Sequence, residues 1–196
     1  MAPNIKLAEA LRGYFPPEYR GVLLEVGAAH PIDSSLSYSF RSSGWKIISI
    51  EPNPEFIQEF NKLSLECLPY ACCAEDKGQS DFHISSQPMQ CSALEVRYTG
   101  IFPVSEFKTI KVEALTLNTI MKRHHPSINS IDILIVDTEG WELEVLMGFD
   151  LSKFSPRIVV IEELGVTPIS SYMKDKNYFK DRGEVQDMFY IRRSIL

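Results

Sequence analysis

The sequence predicts an α/β protein built on a mostly parallel sheet with helices on both faces. Three observations carry that prediction. Short continuous apolar runs, many of them β-branched, recur along the chain as buried strands do. Segments with helical spacing lie between them, and strand-helix-strand alternation implies a parallel sheet. Most of the runs also stop on a polar or acidic residue, at the strand end where such sheets bind ligands.

Gly21 to Val26 is the first run and stops at Gly27; Lys46 to Ile50 is the second and stops at Glu51. Between them Ser34 or Ser35 is placed to cap a helix that carries Leu36 and Phe40 on one face and ends at Gly44. After Glu51, Asn53 reads as an N-cap, Pro54 as the first helical residue and Glu55 as a dipole partner, with Phe56, Phe60 and Leu63 as the buried stripe. Leu68 to Ala74 reads as a third strand, and alternation at Phe82-His83-Ile84 as a short strand or hairpin arm. Residues 85–108 carry no clear pattern. Ile110 to Leu115 reads as a strand or an extended entry, and Leu117 to Arg123 as a helix with Leu117, Ile120 and Met121 inward. Ile131 to Val136 is the strongest strand. It runs through Asp137-Thr138-Glu139-Gly140 into a helix whose inward residues are Leu143, Leu146 and Met147, ended by Gly148. Arg157 to Ile161 stops at Glu162-Glu163, and Tyr178-Phe179 and Met188 to Ile191 make two final strands around Gly183.

The 196 residues show no repeat and no Gly-, Ser- or Pro-rich linker, so residues 1–196 read as a single domain. A formal net charge of -6 argues against a nucleic-acid partner, which a basic face would hold. No apolar stretch approaches the ~18 residues of a spanning helix, and the charged start has no signal core. Cys67, Cys72, Cys73 and Cys91 have neither metal-ligand spacing nor the density of a disulfide scaffold, which points to a reducing cytoplasm.

The acids that end the strands are the candidate site. Glu51 ends the second strand at the place from which a carboxylate accepts both hydroxyls of an adenosine ribose; Pro52 and Asn53 flank it. The first loop, Gly27-Ala28-Ala29-His30-Pro31, lacks two of the three glycines of a dinucleotide fingerprint, and Pro31 removes a donor that a phosphate would use. A nucleotide ligand without phosphate does not need that cradle. S-adenosyl-L-methionine is such a ligand.

The strings from Leu24 to Ala29, Gly44-Trp45 leading into Ile50 to Pro54, Val112 to Leu117, and above all Ile131 to Gly148 resemble the FkbM-type methyltransferases over about Val22 to Glu163. The resemblance implies a Rossmann-like class I methyltransferase: a mostly parallel seven-stranded sheet with an antiparallel last strand, using S-adenosyl-L-methionine, and commonly methylating a hydroxyl oxygen. Position by position, it puts Glu25, Gly27 and Ala28 at the methionine end of the cofactor, Glu51 at the ribose, and Asp137 beside the methyl group. The first loop departs from the commoner family pattern at Ala29-His30-Pro31.

A hydroxyl acceptor on a small molecule or glycan must lose a proton, and Asp137 and then Glu139 are the candidate bases. His30 is placed to donate to the methionine carboxylate or to act as a base, against the plainer reading of a loop histidine as polar surface. A divalent cation on Asp137, Glu139 and Glu162 is a competing reading, though no metal is expected. His124 and His125 read as a solvated helix end. Gln90, Cys91, Ser92 and Tyr98, in the unassigned loop, are candidates for acceptor specificity, and Trp141 reads as packing. The alternatives are a nicotinamide-dependent oxidoreductase, which the missing glycines disfavour, and a non-catalytic adenosyl-binding module.

Overall fold

The computed structural model describes residues 4–86, 92–94, 107–163, 168–184 and 186–193. In chain order its elements are α1 (Ile5–Arg12), β1 (Val22–Val26), α2 (Tyr38–Ser42), β2 (Lys46–Ile50), α3 (Pro54–Lys62), β3 (Tyr70–Cys72), β4 (Gly78–Ser85), β5 (Phe107–Leu115), α4 (Leu117–His124), β6 (Ile133–Val136), α5 (Glu142–Met147), α6 (Leu151–Phe154), β7 (Ile158–Glu162), α7 (Ile169–Asp175), β8 (Tyr178–Glu184) and β9 (Asp187–Arg192). The central sheet has six strands in the order β2-β1-β6-β7-β9-β8. β2, β1, β6 and β7 run parallel, and β9 runs antiparallel to both of its neighbours. The antiparallel last strand is therefore present.

Strand periodicity divides the core between the two faces of this sheet. Leu24, Leu134, Val136, Val159 and Ile161 point to one side, where α4, α5, α6 and α7 cover them. Leu23, Ile133, Ile135, Ile158 and Val160 point to the other, under α1, Phe40 of α2 and Trp45. Chain order reverses between β1 and β6, the place where a ligand cleft is expected.

Among the described residues the central sheet has six strands, not the expected seven: the segment after α3 leaves it. Leu68 makes one parallel bridge to Ile50, and then the ladder breaks. Tyr70 carries the next N–H in line for β2, and it turns back to the Leu68 carbonyl at 3.0 Å, a tight turn centred on Pro69, whose ring fixes the φ such a turn needs. β3 instead joins a second, three-stranded sheet, β3-β5-β4, parallel to β5, with β4 antiparallel on the far side. Consecutive Cys72 and Cys73 point to opposite faces, one into the central core and one into the core of the second sheet.

Local capping follows the sequence closely. Asn53 Oδ1 accepts the Glu55 N–H at 3.0 Å and Pro54 opens α3. Ser35 Oγ accepts the Tyr38 N–H, although α2 starts at Tyr38 and leaves Leu36 outside the helix. Two residues expected inward are not: Leu63 and Met147, both at helix ends, are exposed. In α5 Val145 and Leu146 are fully buried, so the helix is rotated from its expected face.

Gly27 fixes how the strand ends meet. It has φ +78°, and a Cβ there would lie 1.7 Å from the Asp137 carbonyl oxygen. Its N–H and that of Ala28 both donate to the Ile50 carbonyl, while the Asp137 N–H donates to Val26. Gly27→Ala is expected to destabilise the fold by about 3 kcal/mol or more in urea unfolding, from the left-handed backbone and the clash together. A loss under about 1 kcal/mol would mean that the two strand ends part without cost.

Candidate active site

The carboxyl ends of β1, β2 and β6 open into a cleft of about 980 Å³, counted with its open mouth. Glu25, Gly27, Ala28, Glu51 and Pro52 line one end, and Asp137, Thr138, Glu139 and Trp141 the other. Tyr70, Cys72 and Phe82 from the second sheet, with Ala93 and Leu94, form an apolar wall. No Lys, Arg or His is among the described residues that line it.

Glu51 is 5% exposed and ties two turns together. Oε2 accepts the N–H of Ala29, a residue held at φ +46°, at 2.9 Å. Oε1 accepts the Asn53 N–H at 2.8 Å. Burial raises the Glu51 pKa to about 7, while the N–H groups of Asn53 and Ala29 pull it down. Those two donors use about half of the carboxylate's acceptor positions, so capacity remains for a ligand's hydroxyls.

Glu25, on β1, is 4% exposed and accepts the Ser37 hydroxyl at 2.7 Å. Burial again raises its pKa to about 7, opposed by the Ser37 bond and the nearby Arg41 guanidinium. The half-buried Arg41 makes its own contacts outside the cleft, to the Pro31 carbonyl and over the Phe60 ring.

At the other end, one carboxylate oxygen each from Asp137, Glu139 and Glu162 lie within 4.8 Å of one another. Glu139 sits at φ +56° and Gly140 at φ +96°. Solvent reaches Asp137 through the cleft, but protein encloses its carboxylate on the other sides. That loss of bulk water, and then the carboxylates of Glu162, Glu139, Asp187 and Glu142, raise its pKa well above the ordinary range. Glu162 is raised by burial and by Glu139 and Glu142, and its closeness to Asp137 links the titrations of the two. Hard divalent cations take oxygens arranged in this way, with water completing the shell.

The structure thus brings Glu25, Gly27, Ala28, Glu51, Pro52, Asp137 and Glu139 to one cleft. Two expected site residues lie outside its lining. Asn53 is fully buried as the α3 cap. His30 turns its Nδ1 back on its own loop, where it accepts the N–H groups of Ile32 and Asp33 at 3.2 and 2.9 Å. Trp141 is buried as expected, yet it also lines the cleft, with the Lys77 ammonium 5.0 Å from its ring centroid. His124 is not merely solvated: its Nε2 is 2.9 Å from the Tyr70 hydroxyl. Ser92 lines the cleft, while Gln90, Cys91 and Tyr98 lie outside the described residues.

Sequence reasoning missed Glu142. Its Oε1 accepts the N–H groups of Thr138 and Gly140, each at 2.9 Å, and the Thr138 hydroxyl at 3.2 Å. The signal was present: an acid four residues after a threonine at a helix start is close to a capping box, in which the acid reaches back to the turn.

The model of the methyltransferase FkbM domain matches residues 25–179. The chain belongs to the FkbM methyltransferase family. Its fold is similar to that of a solved methyltransferase FkbM from Methylobacillus flagellatus, with a TM-score of 0.56 at 12% identity over 88% of this chain. This family member spans 43% of the length of that protein. No curated protein matches the chain.

The raised pKa values set a pH dependence of stability. Glu25 and Glu51 titrate at about 7 in the folded chain, against the ordinary 4.5 when unfolded. Between those values the folded state holds a proton that the unfolded state has released, so stability falls as pH rises and then levels off. Each group carries roughly 3 kcal/mol of that fall. Glu51→Gln is expected to remove its share: the stability difference between variant and wild type, measured by urea unfolding of the cofactor-free protein, changes steeply from about pH 5 to about pH 7. A constant difference would place the Glu51 pKa near that of a solvated carboxyl.

Proposed function

We propose that the chain is a methyltransferase that binds S-adenosyl-L-methionine in this cleft and methylates a hydroxyl oxygen of a small molecule or glycan. The observation that carries the reading is the charge of the cleft: acids at both ends and no basic side chain among its described lining residues. A cationic ligand fits such a lining. The pyrophosphate of a nicotinamide dinucleotide does not, because it would meet Glu25, Glu51 and Asp137 in place of donors.

The donor set also fits the cofactor part by part. Glu51 has acceptor capacity for the ribose hydroxyls, Glu25 and the Gly27-Ala28 backbone suit the methionine end, and the apolar wall suits a purine ring. When bound, S-adenosyl-L-methionine supplies an activated methyl group on a positively charged sulfur. The residues of the chain hold the acceptor in line and take its proton. Asp137 is the first base: the hydroxyl proton passes to its carboxylate as the oxygen becomes the nucleophile. Enclosure by the cleft walls and its acidic neighbours make Asp137 a stronger base than a solvated aspartate, which suits it to a weakly acidic hydroxyl. A cation nearby favours the ionised form of Asp137 and Glu162, and so frees the base for that step.

Glu51→Ala is expected to weaken S-adenosylhomocysteine binding about tenfold or more by calorimetry, a loss of about 1.4 kcal/mol or more from charge-assisted hydrogen bonds. Unchanged affinity would remove Glu51 from the ribose.

Transfer of a labelled methyl group to a metabolite extract tests the reaction itself, and Asp137→Asn should lower it by about 10²-fold or more. Full transfer by that variant would take the base role from Asp137. No transfer by the wild type, with cofactor still bound, would favour the non-catalytic adenosyl-binding module. Loss of transfer on chelation, restored by Mg²⁺, would assign the Asp137, Glu139 and Glu162 oxygens to a cation.

A further inference from the structure

We propose that Glu142 is the positioning residue of the acidic end of the cleft, clamping the Asp137–Gly140 turn so that the carboxylates of Asp137 and Glu139 face the same space. The proposal rests on the reading of this cleft as the cofactor and acceptor site, and it adds a residue that does not itself line the cleft.

The turn needs a clamp for two reasons. Glu139 is a side-chain-bearing residue at φ +56°, followed by Gly140 at φ +96°, and a left-handed pair of this kind persists only where its surroundings over-determine it. The turn also drives acidic groups together: oxygens of Asp137, Glu139 and Glu162 lie within 4.8 Å of one another. Like charges at that distance repel, so their approach works against the turn.

Glu142 supplies the opposing force. A single oxygen, Oε1, accepts from both ends of the turn, from the N–H and hydroxyl of Thr138 and from the N–H of Gly140. Gly140 is buried, so its N–H, once released, would find no water in exchange. Its own backbone is anchored, because Val145 and Leu146 of the same helix are fully buried in the core of the central sheet. The clamp therefore transmits the rigidity of the sheet to the turn. Glu142 acts on the acidic end through Thr138 and Gly140, which makes it a positioning residue and not a catalytic one.

Three variants test this. Glu142→Ala removes the acceptor, Glu142→Gln keeps an oxygen acceptor without the charge, and Glu142→Asp keeps the charge on a shorter arm. Two readouts separate positioning from plain stability: S-adenosylhomocysteine affinity by calorimetry well below each melting temperature, and the Asp137 titration by carboxyl ¹³C NMR in the free protein. Glu142→Ala is expected to bind about tenfold or more weakly and to let the Asp137 midpoint fall towards the ordinary range. The fall comes partly from the lost Glu142 charge and further as its other neighbours move apart, so that it goes below the midpoint of Glu142→Gln, which loses the same charge. Glu142→Asp should follow Glu142→Ala, whereas Glu142→Gln should recover most of the affinity and show the smaller fall. If Glu142→Ala fails to fold, the contrast between the Asp and Gln variants carries the test. A lower melting temperature with wild-type affinity, and an Asp137 midpoint equal in the Ala and Gln variants, would reduce Glu142 to packing. Equal losses in the Ala and Gln variants would mean that its charge acts and its hydrogen bonds do not. Should the wild type not bind S-adenosylhomocysteine, the cofactor reading fails, and the Asp137 titration still decides the clamp.

Discussion

The approach of Gly27 to the Asp137 carbonyl oxygen is the constraint on which the cleft depends. Only a residue without Cβ permits it, since a Cβ would sit 1.7 Å from that oxygen. Because the contact is backbone on backbone, it sets the distance between the loop after β1 and the turn after β6 without involving any side chain of the site. The Ile50 carbonyl, accepting from Gly27 and Ala28, brings the end of β2 to the same point. The three strand ends that carry Glu25, Glu51 and Asp137 are thus referenced to one glycine, and the carboxylates need only be aimed.

Two buried glutamates do the aiming, and they do it alike. Glu51 accepts backbone N–H groups on either side of the junction between the β1 loop and α3, holding Ala29 at φ +46°. Glu142 does the same for the turn that holds Glu139 at φ +56°. A carboxylate taken out of water costs free energy, and the upward pKa shifts of both residues register that cost. The N–H bonds offset it only in part. An arrangement that leaves acids partly protonated near neutral pH is poised for a cation, whose arrival favours their ionised forms.

What was legible in the sequence was local. Asn53, Pro54 and Glu55 announce the start of α3 through groups within two residues of one another, and the apolar runs that end at Gly27, Glu51 and Asp137 mark their strands without any partner being known. What was not legible depended on partners far along the chain. The apolar run from Leu68 suits either sheet, and the choice is made by the turn around Pro69 together with the strand β5 far along the chain. Met147 has helical spacing with Leu143, but α5 is only six residues long, and its rotation is set by Val145 and Leu146 against the sheet. His30 carries the right chemistry in the right loop, yet its nearest donors are the N–H groups of Ile32 and Asp33, and a local bond of this kind competes with any ligand.

The departure of β3 from the central sheet also shapes the cleft. Had the ladder beside β2 continued past Leu68, the residues of β3 would have extended the floor of the sheet. Turned out to pair with β5, they stand Tyr70 and Cys72 beside Phe82 as a wall over the strand ends. The cleft then has an apolar side facing ends lined with carboxylates. A ligand with a flat apolar ring at one place and positive charge at another gains on both surfaces only in one orientation, because reversing it would bury charge against Phe82 and leave the acids without a partner. The turn at a single proline therefore converts the edge of a sheet into an orienting surface.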